Sequence, residues 1–135
     1  MSIETEMVGR LEADAAVAGY VSRRIYAHVA PQGATYPLLL YKFPSTKPQQ
    51  AAAQRESRNS IRASVVVDVF ATDYGDAKAL ARAVRATLDS WRDQARGIDS
   101  FRWIDQTEDA GPEAEGSRDY LFQVTQTYEV CGVEK

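Results

Sequence analysis

The sequence predicts an α+β fold, a mostly antiparallel sheet of about four strands with two helices packed on one face. Three observations predict it. Residues 60–71 and 119–130 alternate with the period of two that marks half-buried strands. Residues 73–91 between them carry an apolar stripe at the helical period. The elements then follow one another as helix, short strand, strand, long loop, strand, helix, strand, strand, within one domain of 135 residues.

Ser2 is a candidate cap for a first helix, with Glu4 and Glu6 near the positive end of its dipole. Ile3, Met7, Leu11 and Ala15 recur every fourth residue along it, and Gly19 is its expected stop. Arg24 to Val29 reads as a short strand or extended piece, and the turn Ala30-Pro31-Gln32-Gly33-Ala34 follows. Leu38 to Phe43 is an apolar strand that Pro44 is expected to end. Residues 44–60 then form a polar segment longer than the roughly 12–15 residues usual for a structureless loop, which marks it as functional or disordered.

Ile61, Ala63, Val65, Val67 and Val69 share one face of the next strand, and the mixed opposite face predicts partial cover. Asp73 caps the best helix, whose stripe is Ala77, Leu80, Ala81, Val84, Leu88 and Trp91. Gly97 closes the helical stretch, and a strand starts at Phe101. Residues 109–118 read as an acidic turn. In the last strand Tyr120, Phe122, Val124, Tyr128 and Val130 share one face. At about 3.3 Å per residue this strand reaches about 40 Å, against a diameter of about 37 Å for a compact domain of this size. It must bend, bulge or project, and a projecting strand is a natural contact for a neighbour.

The net charge is −3, so no general field draws the chain to nucleic acid or to an anionic membrane. The acidic, polar N-terminus lacks the pattern of a signal peptide, and no apolar run is long enough to span a bilayer. The sequence therefore predicts a soluble protein made in the cytoplasm. Cys131, the single cysteine, reads as a small apolar side chain, and His28, the single histidine, as a structural residue. With one residue of each type, no metal set of His and Cys can be assembled. The acidic residues Asp105, Glu108, Asp109, Glu113 and Glu115 lack the spacing of a calcium loop and read as a solvated segment. No phosphate-binding or dinucleotide fingerprint is present. The expectation is a non-enzyme with no catalytic residue, no cofactor and no metal.

Assembly is the remaining class of function. Residues 44–60 carry Lys47, Arg55 and Arg58 against Glu56, a net of +2. Residues 105–119 carry six carboxylates against Arg118, a net of −5. Opposite poles on one chain suit a head-to-tail contact, which needs two different and complementary surfaces. Lys47, Arg55 and Arg58 on one side, and Glu108, Asp109, Glu113 and Glu115 on the other, are the expected subunit-interface residues.

Several strings of residues carry a resemblance, through their order and spacing. They are Met1-Ser2-Ile3-Glu4, Arg10-Leu11-Glu12-Ala13-Asp14-Ala15, Arg24-Ile25-Tyr26, Ala30-Pro31-Gln32-Gly33-Ala34 and Tyr36-Pro37. Val67-Asp68-Val69-Phe70-Ala71 and the helix from Tyr74 to Leu88 complete the set. Together they resemble the tail completion, or tail terminator, proteins of long-tailed bacteriophages and prophages, the DUF3168 family of minor tail and head-tail joining proteins. The likeness covers most of residues 1–90 and, more loosely, the last strand. It implies a structural virion protein with no catalytic residues. Such a subunit forms a homo-oligomeric, hexameric ring on the head-proximal end of the tail tube, ends tube growth and joins tail to head. Its implied partners are the tail tube protein and a head-completion or connector protein, with DNA only passing through the lumen and no membrane. Two other readings stay open: another neck protein, such as a head-completion or connector ring, and a small-molecule-binding regulatory domain.

Overall fold

The computed structural model describes residues 2–48, 60–112 and 120–133. Helix α1 (Ile3–Ala13) starts where expected: the Ser2 hydroxyl accepts the backbone N–H of Thr5 at 3.1 Å. The single first helix expected up to Gly19 is in fact two. Asp14 leaves the helical region at ψ 123°, and its carboxylate accepts the N–H of Val17 at 3.0 Å to cap α2 (Ala15–Val21). An aspartate competes for backbone donors, so it favours a cap over a helix interior. The apolar stripe shifts with the break: Ile3, Met7 and Leu11 are buried, Ala15 is exposed, and Val17 and Val21 continue the core. Gly19 lies inside α2, and the chain turns instead at Ser22, whose φ is 53°.

Among the described residues the sheet has five strands, one more than expected. Their order is β1 (Ile25–Ala27), β2 (Leu38–Pro48), β3 (Ser60–Ala71), β5 (Tyr120–Val133) and β4 (Ile98–Pro112). The short β1 is parallel to β2, and every other pair is antiparallel. Pro44 does not end β2. A register shift between Lys42 and Ser45 absorbs it, and Thr46 to Pro48 go on pairing with Ala63 to Ile61. Among the described residues, β2 has no outer neighbour beyond Tyr41, because β1 pairs only with Leu39 to Tyr41. A sheet edge tolerates a residue without an N–H, and Pro44, Pro48, Lys42 and Lys47 blunt this edge against stray pairing.

The expected acidic turn at 109–118 is also partly strand. β4 runs to Pro112 and pairs with β5 down to Pro112–Tyr120. β3 stops at Ala71, opposite Phe122, so Leu121 and Tyr120 pair with β4 alone. The long last strand thus projects past β3 as a two-stranded ribbon.

The core lies between the helices and one face of the sheet. Ala63, Val65, Val67 and Val69 are buried there, with Phe101, Val124, Tyr128 and Val130 beside them. Helix α3 (Tyr74–Leu88) packs Ala77, Leu80, Ala81, Val84 and Leu88 onto this face, as its stripe predicts. It ends at Leu88, earlier than expected. Asp89 leaves the helix at ψ 132° and Ser90 has φ 66°, so Trp91 reaches the core from a turn. Asp73 caps α3 by accepting the N–H of Asp76 at 3.0 Å. Replacing Asp73 with alanine leaves that donor to water and is expected to lower stability by about 1 kcal/mol, measured by urea denaturation. Among the described residues, no helix is long and apolar enough to cross a membrane.

Candidate assembly surface

The helices cover one face of the sheet and leave the other open. The register assigns residues to that open face in rows across four strands. Lys47, Arg62, Cys131 and Ser100 form the first row, and Ser45, Ser64, Glu129 and Arg102 the second. Lys42, Val66, Thr127 and Asp105 form the third, and Leu40, Asp68, Thr125 and Thr107 the fourth. Phe70, Gln123 and Asp109 lie at the far end, beside the projecting ribbon. Val66, Phe70 and Leu121 stay half-buried on this face.

Charge is graded along the strands. The first three rows hold Lys42, Lys47, Arg62 and Arg102 together with Glu129 and Asp105, while only carboxylates, Asp68 and Asp109, lie beyond them toward the ribbon. Arg102 reaches Glu129 across the sheet at 3.3 Å. Among the described residues, Lys42, Lys47, Arg62, Asp68 and Asp109 have no ion-pair partner. Lys47 and Arg62 stand directly opposite each other, an arrangement that costs stability in an isolated chain. Asp68 is half-buried mid-sheet and accepts the Thr125 hydroxyl at 2.6 Å and the Gln123 amide at 3.1 Å.

Of the expected interface residues, Lys47 lies at one end of the open face and Asp109 at the other, while Glu108 is on the opposite face. Asp109 faces the open side, and one of its oxygens accepts the N–H of Ala110 at 2.8 Å. Glu108, one residue earlier, faces the helices. There it pairs with Lys78 and accepts the Tyr74 hydroxyl at 2.8 Å. Arg55 and Arg58 belong to the connection between β2 and β3, and Glu113 and Glu115 to that between β4 and β5. All four lie outside the described residues.

The Lys78 ammonium, followed by the Tyr74 hydroxyl, holds the Glu108 carboxyl below its ordinary range. A carboxylate lowered on folding adds stability above its unfolded pKa and loses it as pH falls through the folded value. Glu108→Gln is therefore expected to lower stability near neutrality and to flatten its decline in acid. Urea midpoints measured from pH 7 down to pH 3 check this.

His28 is exposed, and its backbone N–H donates to the Tyr41 carbonyl at 2.9 Å. Cys131 is half-buried on the open face. A cleft of about 470 Å³ lies between α1 and the Trp91–Arg96 turn. Its charges are engaged internally: Arg96 reaches Glu6 at 3.0 Å and Asp93 at 2.7 Å, and Arg10 donates to the Thr87 carbonyl at 2.7 Å while lying over Trp91. Sequence reasoning missed Asp68, Arg62 and Lys42. Their signal was polar residues interrupting the second face of a valine strand and its neighbour, which register alone could turn into a surface.

A solved structure titled "Virion of native gene transfer agent (GTA) particle" contains a chain similar to this one. It matches with a TM-score of 0.68 and 19% identity, over 99% of this chain and 96% of the other. That likeness establishes the shared fold. No curated protein sequence matches significantly. The family described as Tail completion protein gp17 matches residues 5–131, nearly the whole chain. With its fold shared by a virion component and its sequence matched from α1 through β5, the chain belongs to the tail completion protein gp17 family, structural proteins of the bacteriophage tail.

Proposed function

We infer that this protein is the tail terminator: a homo-oligomeric ring, hexameric in the simplest case, that seats on the head-proximal end of the tail tube, ends tube growth and joins tail to head. The observation that carries this reading is the segregation of unpaired charge to opposite ends of an uncovered sheet face, in a chain of the tail completion family. Two unlike, complementary surfaces on one subunit generate a closed ring when the rotation between copies closes. Lys47, with Arg55 and Arg58 of the adjoining connection, forms one surface. Asp109, with Glu113 and Glu115 of the other connection, forms the second. Exposed charges of this kind set register and steer encounter more than they add affinity. The tube protein and a connector of the head are the remaining partners. The role is structural, and no catalytic step is assigned to any residue.

Particles assembled without the protein test this. Tail tubes of uncontrolled length that fail to join heads, restored to defined length by adding the protein back, are the expected result. Electron cryomicroscopy of restored particles should show one ring of copies at the end of the tube. Copies seated on the head's connector, with tube length unchanged by their loss, would instead make the protein a head-completion subunit.

A further inference from the structure

At the ribbon end of the open face lies a socket of about 180 Å³, lined by Phe70, Asp109, Ala110, Gly111, Leu121 and Gln123. We propose that this socket receives the Lys47 side chain of a second copy of the chain. This deepens the ring reading and rests on it.

The socket has the two parts that a lysine needs. Phe70 and Leu121 offer apolar surface for its methylene stem, and the Asp109 carboxylate offers an acceptor for its ammonium. Behind them Gln123 donates to Asp68, which places a second carboxylate near the same end. Neither carboxylate is neutralised by a cation among the described residues. Gly111 adds room, because a Cβ built there meets nothing within 4 Å. The opening is thus not required by the chain's own packing.

The occupant is argued from charge. Lys47 is exposed, unpaired and held opposite Arg62, so the isolated subunit carries a like-charge pair across two strands. A carboxylate from outside relieves that repulsion, and the socket supplies one at the opposite end of an identical subunit. The contact is heterologous, as ring closure demands. Of the other bases on this face, Arg102 already has Glu129, Arg62 is the second member of the like-charge pair, and Lys42 lies further along β2, away from that end.

The test uses Asp109→Lys, Lys47→Glu, the two combined in one chain, and Gly111→Leu, which fills the socket without altering charge. Each is added to tube assembly reactions lacking the wild-type protein, and completed tails are counted by electron microscopy. Circular dichroism and thermal melting check folding; the altered positions are exposed or open, so little change is expected. Each single variant should complete at least tenfold fewer tails than wild type. The combined variant should recover most of the loss, as should a mixture of Asp109→Lys with Lys47→Glu. Folded single variants that complete tails normally would overturn the socket while leaving the ring standing, as would a combined variant no better than the singles. Wild-type protein that forms no ring on tubes would overturn the ring reading itself, and the socket with it.

Discussion

Gly132→Ala is expected to destabilise the protein by about 3 kcal/mol, at the upper end of the range for overpacked sites. A Cβ at this position would lie 2.0 Å from the carbonyl oxygen of Gly97 and 3.2 Å from Ile3 Cδ1. The nearest atom is backbone, so no side-chain rotation relieves the clash. Gly97 cannot easily retreat either. It sits in the left-handed region at φ 83°, and its carbonyl accepts the Val133 N–H at 2.8 Å. The substitution must prise the end of β5 from the turn that precedes β4 and disturb the burial of Ile3 at the start of α1. For a chain of this length, 3 kcal/mol corresponds to a fall of about 10 °C in Tm. Gly19→Ala is the control. It lies inside α2 with nothing within 4 Å of a new Cβ, so alanine there is expected to raise stability by about 0.5–1 kcal/mol. Equal effects at the two glycines would refute the close approach of Gly97 and Gly132.

Gln126→Leu is expected to cost about 2 kcal/mol despite adding an apolar side chain to the core. Gln126 is fully buried, and its amide nitrogen donates to the Ala81 carbonyl at 2.8 Å and to the Gln106 side-chain oxygen at 3.0 Å. Its own oxygen accepts the Tyr128 hydroxyl at 2.8 Å. Leucine leaves that buried hydroxyl without a partner, and a buried donor stripped of its acceptor costs about 1–3 kcal/mol. Burial already pushes the Tyr128 hydroxyl pKa well up, so ionisation offers no escape near neutrality. Tyr128→Phe alone orphans the Gln126 oxygen and should cost a similar amount. The double variant removes donor and acceptor together and should recover much of the loss, giving a coupling of at least 1 kcal/mol between the sites. Additive losses in urea denaturation would show that the two side chains do not act as a pair.

These two sites mark where sequence reasoning stopped. The last strand was read from Tyr120, Phe122, Val124, Tyr128 and Val130, and Gln126 interrupts that alternation. Nothing local reveals that α3 and β4 bring it two partners. Gly132 carried no signal, because its restriction comes from Gly97, a residue 35 positions away. Asp14 did carry one, but the stripe Ile3, Met7, Leu11, Ala15 ran on past it. The capping bond to Val17 decided the break. Pro44 was read as a strand end, and it would be one in a central strand. An edge accepts it, and which strands are edges is a property of the assembled sheet. Residues 109–112 read as part of an acidic turn because charge and glycine favour one, yet pairing with β5 holds them in a strand.

Periods of two and 3.6 residues were enough for β3 and α3, because a single dominant face was being buried and its spacing is local. Helix starts at Ser2 and Asp73 were equally legible, since a cap acts within three residues of chain. The segregation of charge into a basic and an acidic segment is also written in the linear order, and it suits a head-to-tail contact. Contacts between distant segments decided the rest. They placed β5 between β3 and β4 and set Lys47 against Arg62. They turned Glu108 toward Lys78 while leaving Asp109 open. The physical reason is that a strand's neighbours and register are chosen by the summed pairing and burial of whole strands, and one residue of slip sends every side chain to the opposite face.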